Sequence, residues 1–399
     1  MITVAQALNI IANNTMDFGT ELVPLSNSTN RILKEDWTTD RDLPPYHRIT
    51  MDGIAIAYAA FEQGQRAFPI QGIAAAGMPQ QTLAQNTDCL EVMTGAILPS
   101  MCDTIIRYED LDIQNNVATV QVDNVRLSQN VHFKGEDKKA NELVVRQGIR
   151  ISPAEIGVGA SVGKSQVRVA KLPKVMVIST GDELVNIDQQ PLAHQIRRSN
   201  VYRLLTSLQN DKILADSDHL NDAVREIEEK IAIYLQQYDV LILSGGVSKG
   251  KFDYIPQVLE KLGVQKLFHR VQQRPGKPFW FGKYGDKCTI FALPGNPVSS
   301  FMCMQRYFKT WLSLCQTGQT PTRPYAVLAQ AVDFKPDLVY YLEVKISYSP
   351  QGQIVATPKK GNGSGDLANI VEGDAFIELP QGRNRFEAGE VFPIYFYRG

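Results

Sequence analysis

The residues whose types most clearly suggest a chemical role lie at 239–254, where a short apolar run leads into a glycine pair, two serines, two lysines and an acid. The apolar run is typical of a buried strand that ends at the edge of a parallel sheet. Glycines such as Gly245 and Gly246 allow the main chain to pass close to a ligand, and exposed N–H groups in such a turn attract anions. This segment therefore predicts a loop that contacts an anionic ligand.

Two further segments, 175–183 and 289–297, repeat the pattern of an apolar run followed by a polar glycine turn. Open parallel sheets bind ligands at the carboxyl ends of their strands. The third segment also begins a helix, whose N-terminus could accept a phosphate, although a simple cap by Asn296 explains it almost as well. Three such strand ends in one domain predict one composite site for a phosphate-bearing ligand.

Acidic side chains stand beyond two of these strands, with Asp182 and Glu183 after the first and Asp253 after the second. Mg²⁺ in proteins prefers one or two carboxylates together with phosphate oxygens of a substrate. The same acids would also suit helix capping or the positive end of a helix dipole. Both interpretations stay open, and the occurrence of two such motifs in one domain favours the metal.

Two cations, Arg274 and Lys277, stand in a turn between prolines. A cation held rigidly can bind a phosphate or carboxylate with little loss of entropy, whereas a solvated basic turn is the simpler alternative. The five histidines are dispersed, which argues against a histidine–zinc site or a Ser/His/Asp triad. The sequence has no Gly-x-Gly-x-x-Gly and no Walker lysine motif, which argues against NAD binding and P-loop ATP hydrolysis.

Bulk properties indicate an ordinary globular protein of two to four domains, with 399 residues and a formal net charge of −1. This charge provides no basic field for nucleic acid or an anionic membrane. No apolar run reaches the roughly 18 residues that a membrane span needs. Five dispersed cysteines without Cys-x-x-Cys spacing indicate reduced thiols and a cytoplasmic location.

The apolar pattern also divides the chain into regions. Residues 1 to about 35 are predicted to be mainly helical, beginning at a Thr3/Gln6 capping box. Residues 45–139 carry short alternating runs between turns, as in a β-rich module. Residues 175–314 alternate strands with helices and predict a three-layer α/β domain with a largely parallel sheet. Residues 325–399 return to short strands, which favour a small β-barrel or sandwich.

Nine short motifs in sequence order resemble the molybdopterin molybdenumtransferase family, known in bacteria as MoeA and related to the E domain of gephyrin. The resemblance covers nearly the whole chain. Each motif alone is common, and the ordered set is specific. The motifs are Thr50-Met-Asp-Gly, Met93-Thr-Gly-Ala-Ile-Leu-Pro, Gly135-Glu-Asp, Pro153-Ala-Glu-Ile-Gly, Ser179-Thr-Gly-Asp-Glu-Leu, Ser244-Gly-Gly-Val-Ser, Pro275-Gly-Lys-Pro, Leu293-Pro-Gly-Asn-Pro-Val-Ser and Gly363-Ser-Gly.

The resemblance implies an α/β plus β fold in an elongated multidomain subunit. An extended discontinuous domain would comprise 1–45 and 140–168, and a β-rich domain 46–139. An α/β molybdopterin-binding domain would follow at 169–318, with a C-terminal β-barrel domain at 319–399. The family members insert molybdate into the dithiolene of adenylylated molybdopterin and release AMP, with Mg²⁺ as cofactor. Their site lies between the α/β domain of one subunit of a homodimer and the β-rich domain of the other.

Matched motif by motif, the resemblance assigns Glu183 and Asp253 to the metal and to catalysis at the molybdate end. It implies that the β-rich domain of a second subunit contributes three further catalytic residues, Asp52, Thr94 and Asp137. Lys277 would bind phosphate. The other substrate-binding residues would form the pterin-nucleotide groove: Gly245, Gly246, Ser248, Pro294, Pro297 and Ser364.

Some positions depart from the common pattern of the family. Arg198 and Asn221 stand where an aspartate is often found, and Arg274 stands where lysine is frequent. Lys249 and Lys251 make the second glycine turn unusually basic. Added cations suit an anionic substrate, while the number of metal ions is left undecided.

Two other functions are compatible with the fold. A non-catalytic molybdopterin-binding or scaffold protein is one, because gephyrin's E domain also clusters receptors; the presence of Asp52, Glu183 and Asp253 favours the enzyme. An adenylyltransferase or nucleotide pyrophosphatase with the same α/β module is the other, and such proteins lack the Thr50 and Met93 motifs in this order. The resemblance also implies two partners, an adenylyltransferase that delivers the substrate and molybdoenzymes that receive the cofactor.

Overall fold

The computed structural model describes residues 1–247 and 254–398. Contacts between Cα atoms divide the chain into two compact units. The larger unit contains residues 1–21, 30–32 and 169–399, and the smaller unit contains 22–29 and 33–168. Strands Thr20–Pro24 and Gln166–Ala170 include residues of both units. The division into four domains stays a prediction.

The larger unit is built on a six-stranded sheet in which four neighbouring strands are parallel. The register sets Ser179 beside Ser244 and Ser244 beside Leu293, so that three strands end together. Two antiparallel strands complete one edge. In spatial order the strands are Asp216–Leu220, Val175–Thr180, Val240–Ser244, Cys288–Leu293, Trp280–Tyr284 and Gln265–His269.

Side chains alternate along the central strands and fill a hydrophobic core on each face of this sheet. Val177 belongs to one core together with Leu204, whereas Ile178 belongs to the other together with Ile227. This two-residue period produces the three layers predicted from the sequence. The helices of the unit are Val4–Ala12, Ser199–Asn210, Val224–Gln237, Ile255–Lys261, Pro297–Cys303, Lys309–Thr317 and Asn369–Glu372, with a π-helical segment at Met304–Phe308.

The C-terminal strands of the larger unit form a sheet that closes on itself. Strand Val339–Tyr348 pairs with both Ile354–Pro358 and Ala375–Leu379, and these pairings close five strands into a barrel. The predicted C-terminal β-barrel is therefore confirmed. The other barrel strands are Tyr325–Leu328 and Val391–Phe396, with Gln273–Arg274 beside them; short pairs are Val332–Asp333 with Arg385–Phe386 and Leu184–Val185 with Ile196–Arg197.

The smaller unit contains the predicted β-rich module, whose apolar residues include the buried Ile54, Ile56 and Phe68. Its two α-helices are Tyr58–Glu62 and Pro153–Ser161, and the second begins with a Ser152/Glu155 capping box. The main sheet runs, in spatial order, Thr104–Arg107, Gly53–Ile56, Cys89–Val92, Ala67–Ala74, Val117–Val120 and Leu111–Gln114. Short pairs are Arg48–Ile49 with Val131–His132 and Trp37–Thr38 with Leu143–Val145.

The N-terminal helix is shorter than the sequence predicts. It begins after the Thr3/Gln6 capping box and ends at Ala12, so a mainly helical segment to about residue 35 is wrong. The Asp17 carboxylate accepts a hydrogen bond from the Gly19 N–H at 2.8 Å, and Gly19 has φ +75°. Such a local turn competes with helix continuation, and the chain continues as strand Thr20–Pro24.

The cysteines behave as core residues. All five are free, and Cys89, Cys102, Cys288 and Cys303 are buried. Burial raises the pKa of Cys89, Cys102 and Cys288 to about 12, so these thiols stay protonated at neutral pH. Within 1–247 and 254–398, no helix is long and apolar enough to cross a membrane.

Candidate functional site

A cavity of about 820 Å³ opens at the carboxyl ends of the three parallel strands. The turns Thr180-Gly181, Gly245-Gly246 and Pro294-Gly295 all line it, so the structure brings together the three glycine segments singled out in the sequence. Among the residues assigned by resemblance, seven line this cavity: Glu183, Gly245, Gly246, Lys277, Pro294, Pro297 and Ser364.

The glycine pair lies tightly against the neighbouring strand end. Gly245 and Gly246 have φ values of +106° and +67°, and a Cβ on Gly245 would lie 2.9 Å from the Thr180 hydroxyl. The Gly245 N–H donates to the Leu293 carbonyl at 3.1 Å. Only glycine fits this close approach, which leaves the backbone bare towards the cavity.

Among the residues that the structure describes, four cationic side chains line the cavity, together with two carboxylates, Glu183 and Asp222. Arg274 and Lys277 are exposed on a single turn, whose Lys277 carbonyl accepts from the Val271 N–H at 3.0 Å. This excess of positive charge suits an anionic ligand. The cations are Arg197, Arg198, Arg274 and Lys277.

Glu183 is exposed, and its carboxylate folds back over Gly181, where a Cβ would come within 2.3 Å of Oε2. Across the described residues, no group of three or more histidine, cysteine or acidic side chains could hold a metal. Glu183 and Asp222 both line the cavity, and a magnesium ion held by only one or two carboxylates usually shares the phosphate oxygens of its ligand. Asp253, the other predicted metal residue, lies outside the described residues, as do Ser248, Lys249 and Lys251.

Ser364 enters the cavity through contacts with the start of helix Pro297–Cys303. Asn296 Nδ2 donates to Ser364 Oγ at 2.8 Å, and the Val298 N–H donates to the Ser364 carbonyl at 3.1 Å. Asn296 occupies the predicted N-cap position of that helix, but its side chain makes no capping hydrogen bond. The amide instead fixes the C-terminal loop against the third glycine turn.

Asn200 is a structural residue of the site that was not assigned a role from the sequence. Its Nδ2 donates to Ser244 Oγ at 3.1 Å and to the Gly295 carbonyl at 2.6 Å. It thus joins the start of helix Ser199–Asn210 to two of the glycine turns. The sequence feature that could have indicated this role is its position in the segment Arg197-Arg198-Ser199-Asn200.

In the smaller unit, Asp52 and Thr94 contact each other directly. Asp52 Oδ1 accepts from the backbone N–H and the hydroxyl of Thr94 at 2.6 and 2.8 Å. These hydrogen bonds lower the pKa of Asp52 below its ordinary value, and the bond from the Thr94 backbone has the larger effect. Asp52 is therefore an exposed carboxylate held ionised at neutral pH.

Asp137 lies on a neighbouring loop of the same unit, 3.0 Å from His132 Nε2 through its Oδ1. The His132 strand pairs with Arg48–Ile49, and the Gly95 N–H donates to the Ile49 carbonyl at 2.9 Å. One edge of strand Arg48–Ile49 therefore pairs with the strand of His132, which contacts Asp137. The other edge contacts the loop that carries Thr94. Asp52 and Thr94 are thus in direct contact, and Asp137 is linked to their loop through this strand pair.

Three family descriptions together match most of the chain. Residues 2–163 match the MoeA N-terminal region (domain I and II), residues 176–313 match a probable molybdopterin binding domain, and residues 325–397 match the MoeA C-terminal region (domain IV). Molybdopterin molybdenumtransferase of Synechocystis sp. is 42% identical over 99% of this chain and 100% of its own length. The enzyme of the same description from Haemophilus influenzae is 31% identical, covering 94% of this chain and 93% of its own.

The fold is also similar to solved structures. A crystal structure described as molybdopterin biosynthesis moeA protein from Pyrococcus horikoshii OT3 superposes with a TM-score of 0.81 and 25% identity. The superposition covers 100% of both chains. The likeness therefore extends over the whole multidomain architecture.

Proposed function

This chain belongs to the MoeA family of molybdopterin molybdenumtransferases, transferases of molybdenum cofactor biosynthesis, and we propose that it inserts molybdate into the dithiolene of adenylylated molybdopterin with release of AMP. The observation that supports this substrate is the cavity of about 820 Å³, whose described lining combines a bare glycine turn, four cations and two carboxylates. Small-molecule sites typically enclose about 300–1,000 Å³. The space therefore suits a pterin nucleotide, and the charge suits its phosphates.

Within this proposal, the exposed Lys277 binds a phosphate of the substrate, and the glycine pair Gly245-Gly246 lets the ligand approach the main chain closely. Pro294 and Pro297 shape the wall beside the glycine pair, and Ser364 contributes its hydroxyl from the C-terminal loop. These groups bind and orient the phosphoanhydride.

Glu183 would hold magnesium at the cavity wall, with Asp222 as a second carboxylate that lines the same cavity. The family resemblance adds Asp253 as a further ligand. When bound, the ion would neutralise charge at the phosphoanhydride as AMP departs. Glu183 is available for this role because its carboxylate is exposed on the cavity.

We further propose a homodimer in which Asp52, Thr94 and Asp137 act with the cavity of a second copy. The Asp52 carboxylate, held ionised by Thr94, is suited to orient a cationic or hydrogen-bonding group there. The free cysteines are consistent with the reducing cytoplasm, where we place the reaction. A molybdopterin adenylyltransferase would deliver the substrate, and molybdoenzymes would receive the product.

The proposal is tested by incubating the purified protein with adenylylated molybdopterin, molybdate and Mg²⁺ and measuring AMP release by chromatography. Formation of active cofactor is measured in parallel by reconstitution of a cofactor-free molybdoenzyme. We expect both signals to require molybdate and Mg²⁺. Reactions without protein and reactions without molybdate are the controls.

Binding of adenylylated molybdopterin without AMP release or cofactor formation would contradict the transferase. That outcome would instead support the non-catalytic molybdopterin-binding or scaffold function. Sedimentation of the chain as a monomer at assay concentrations would contradict the proposed contribution of Asp52, Thr94 and Asp137.

A further inference from the structure

Arg198 stands at the start of helix Ser199–Asn210 and lines the cavity. Its backbone N–H donates to the Val185 carbonyl at 3.1 Å, which fixes the position of the residue. Its Nε is buried, yet within 1–247 and 254–398 it has no hydrogen-bond partner. A buried guanidinium N–H without an acceptor is costly, and an anionic ligand would supply the acceptor.

The helix that follows Arg198 also lacks a cap. In the described part of the chain, its N-cap residue makes no side-chain capping bond, and its first turn contains no acid. Ser199, Asn200 and Val201 line the cavity, so the positive end of a helix of 12 residues faces the same space. Uncapped N–H groups and the helix dipole both favour a phosphate at this position.

A second unpartnered donor lines the cavity from a different element. Thr180 is only 4% exposed, and its hydroxyl has no partner in the described part of the chain. It ends the strand beside the glycine pair. Arg197, by contrast, already donates its Nε to the Ile187 carbonyl at 3.0 Å.

We propose that Arg198, the start of helix Ser199–Asn210 and the Thr180 hydroxyl form a seat for one phosphate group of the ligand. Asn200 keeps this seat rigid, because its amide ties the helix start to Ser244 and Gly295. The proposal deepens the proposed function, on whose phosphate-bearing substrate it rests. Arg198 acts here as a fixed cation that contacts the ligand directly.

The test measures binding by calorimetry in EDTA, so that the affinity reflects protein groups alone. The ligands are inorganic pyrophosphate, AMP and adenosine. Arg198→Ala should weaken the binding of pyrophosphate and of AMP about tenfold, as expected for a lost charge-assisted hydrogen bond. The affinity for adenosine should be unchanged. Arg198→Lys should recover part of the loss, and Thr180→Val should weaken both phosphate ligands several-fold.

Arg225→Ala is the matched control, since it removes one positive charge from a side chain that is 93% exposed outside the cavity lining. It should leave all three affinities unchanged. The wild-type affinity for pyrophosphate should fall with salt, and Arg198→Ala should show a shallower dependence. Melting curves establish that each variant is folded.

The seat is refuted if folded Arg198→Ala binds both phosphate ligands as tightly as the wild type, or if the wild type binds neither. An equal loss of adenosine affinity would also overturn it, because that would indicate a general distortion. A wild type that binds pyrophosphate through Arg198 but releases no AMP in the transferase assay would refute the proposed function and leave the seat standing.

Discussion

The Gln273 side-chain amide donates a hydrogen bond to the Gly276 carbonyl at 3.1 Å, inside the turn that carries Arg274 and Lys277 to the cavity. The carbonyl oxygen of the same side chain accepts a hydrogen bond from the Tyr307 hydroxyl. Both side chains are fully buried, and Tyr307 belongs to the π-helical segment Met304–Phe308. A buried polar chain therefore connects the interior of the helical layer to the basic turn.

Tyr307→Phe should destabilise the protein and weaken pyrophosphate binding. The change leaves the buried Gln273 oxygen without its donor, at a cost of about 1–3 kcal/mol. The melting temperature and the pyrophosphate affinity are the measurements. Tyr348→Phe, at a tyrosine that is 73% exposed, is the control. Equal melting temperatures and affinities for the two variants would contradict a role for this chain of bonds.

The features predicted correctly are those that local sequence determines. An apolar run followed by glycine identifies a buried strand end, and the three strand ends converge because parallel strands finish at one edge of a sheet. The capping box at Thr3 is likewise predicted from spacing alone. These patterns were enough to locate the cavity.

The features that were missed depend on residues far apart in the chain. Asn296 looked like a helix cap, but its amide contacts Ser364, 68 positions away. Gln273 and Tyr307 are 34 positions apart and carry no motif. Local rules cannot distinguish such partners, because the choice between a cap and a long-range hydrogen bond is made by tertiary packing.

Gly276→Ala should be more destabilising than Gly263→Ala, although both glycines have φ +83°. The backbone strain of alanine is therefore the same at the two positions, about 1–2 kcal/mol. A Cβ at Gly276 would lie 2.7 Å from Cys303 Sγ, whereas the one at Gly263 would meet nothing within 4 Å. The overpacking adds about 1–3 kcal/mol.

Thermal unfolding of the two variants side by side tests this difference. Gly276→Ala should also weaken pyrophosphate binding, because the turn bearing Lys277 must shift. Equal loss of stability in both variants would mean that the turn relaxes around the added methyl group.

Glu378→Gln should destabilise the larger unit by about 3 kcal/mol. Arg306 is 1% exposed, and its Nε lies 3.1 Å from Glu378 Oε2, so the variant leaves a buried guanidinium without its counter-charge. Glu387→Gln removes the partner of Arg385 in an exposed pair and should cost less than about 1 kcal/mol. Urea unfolding followed by tryptophan fluorescence measures both, and similar midpoints for the two variants would contradict the prediction.

His269 should make stability fall in mildly acidic solution. Its Nε2 lies 3.0 Å from the Val247 carbonyl, and burial is the main cause that lowers the pKa of His269 below the ordinary 6.5. The unfolded chain therefore binds the proton more readily, so the contribution to stability is complete above pH 6.5 and is lost as the pH falls through the lower folded value. The melting temperature at pH 7.5 and 5.5 should differ more in the wild type than in His269→Gln. His194→Gln, on an exposed loop, should behave as the wild type. If the difference in melting temperature between the two pH values is unchanged in His269→Gln, His269 is not the origin of the acid sensitivity.

Glu183→Ala should abolish AMP release while leaving pterin-nucleotide affinity largely intact. The carboxylate lines the cavity and is exposed for a metal or molybdate contact, whereas the cations and glycine turns supply the ligand affinity. Single-turnover AMP release and equilibrium binding are measured on the same preparation. Asp188→Ala removes an exposed acid nearby that does not line the cavity, and it should retain turnover. Full turnover in Glu183→Ala would assign that side chain a purely structural role over Gly181, and a parallel loss of affinity would place it in substrate binding.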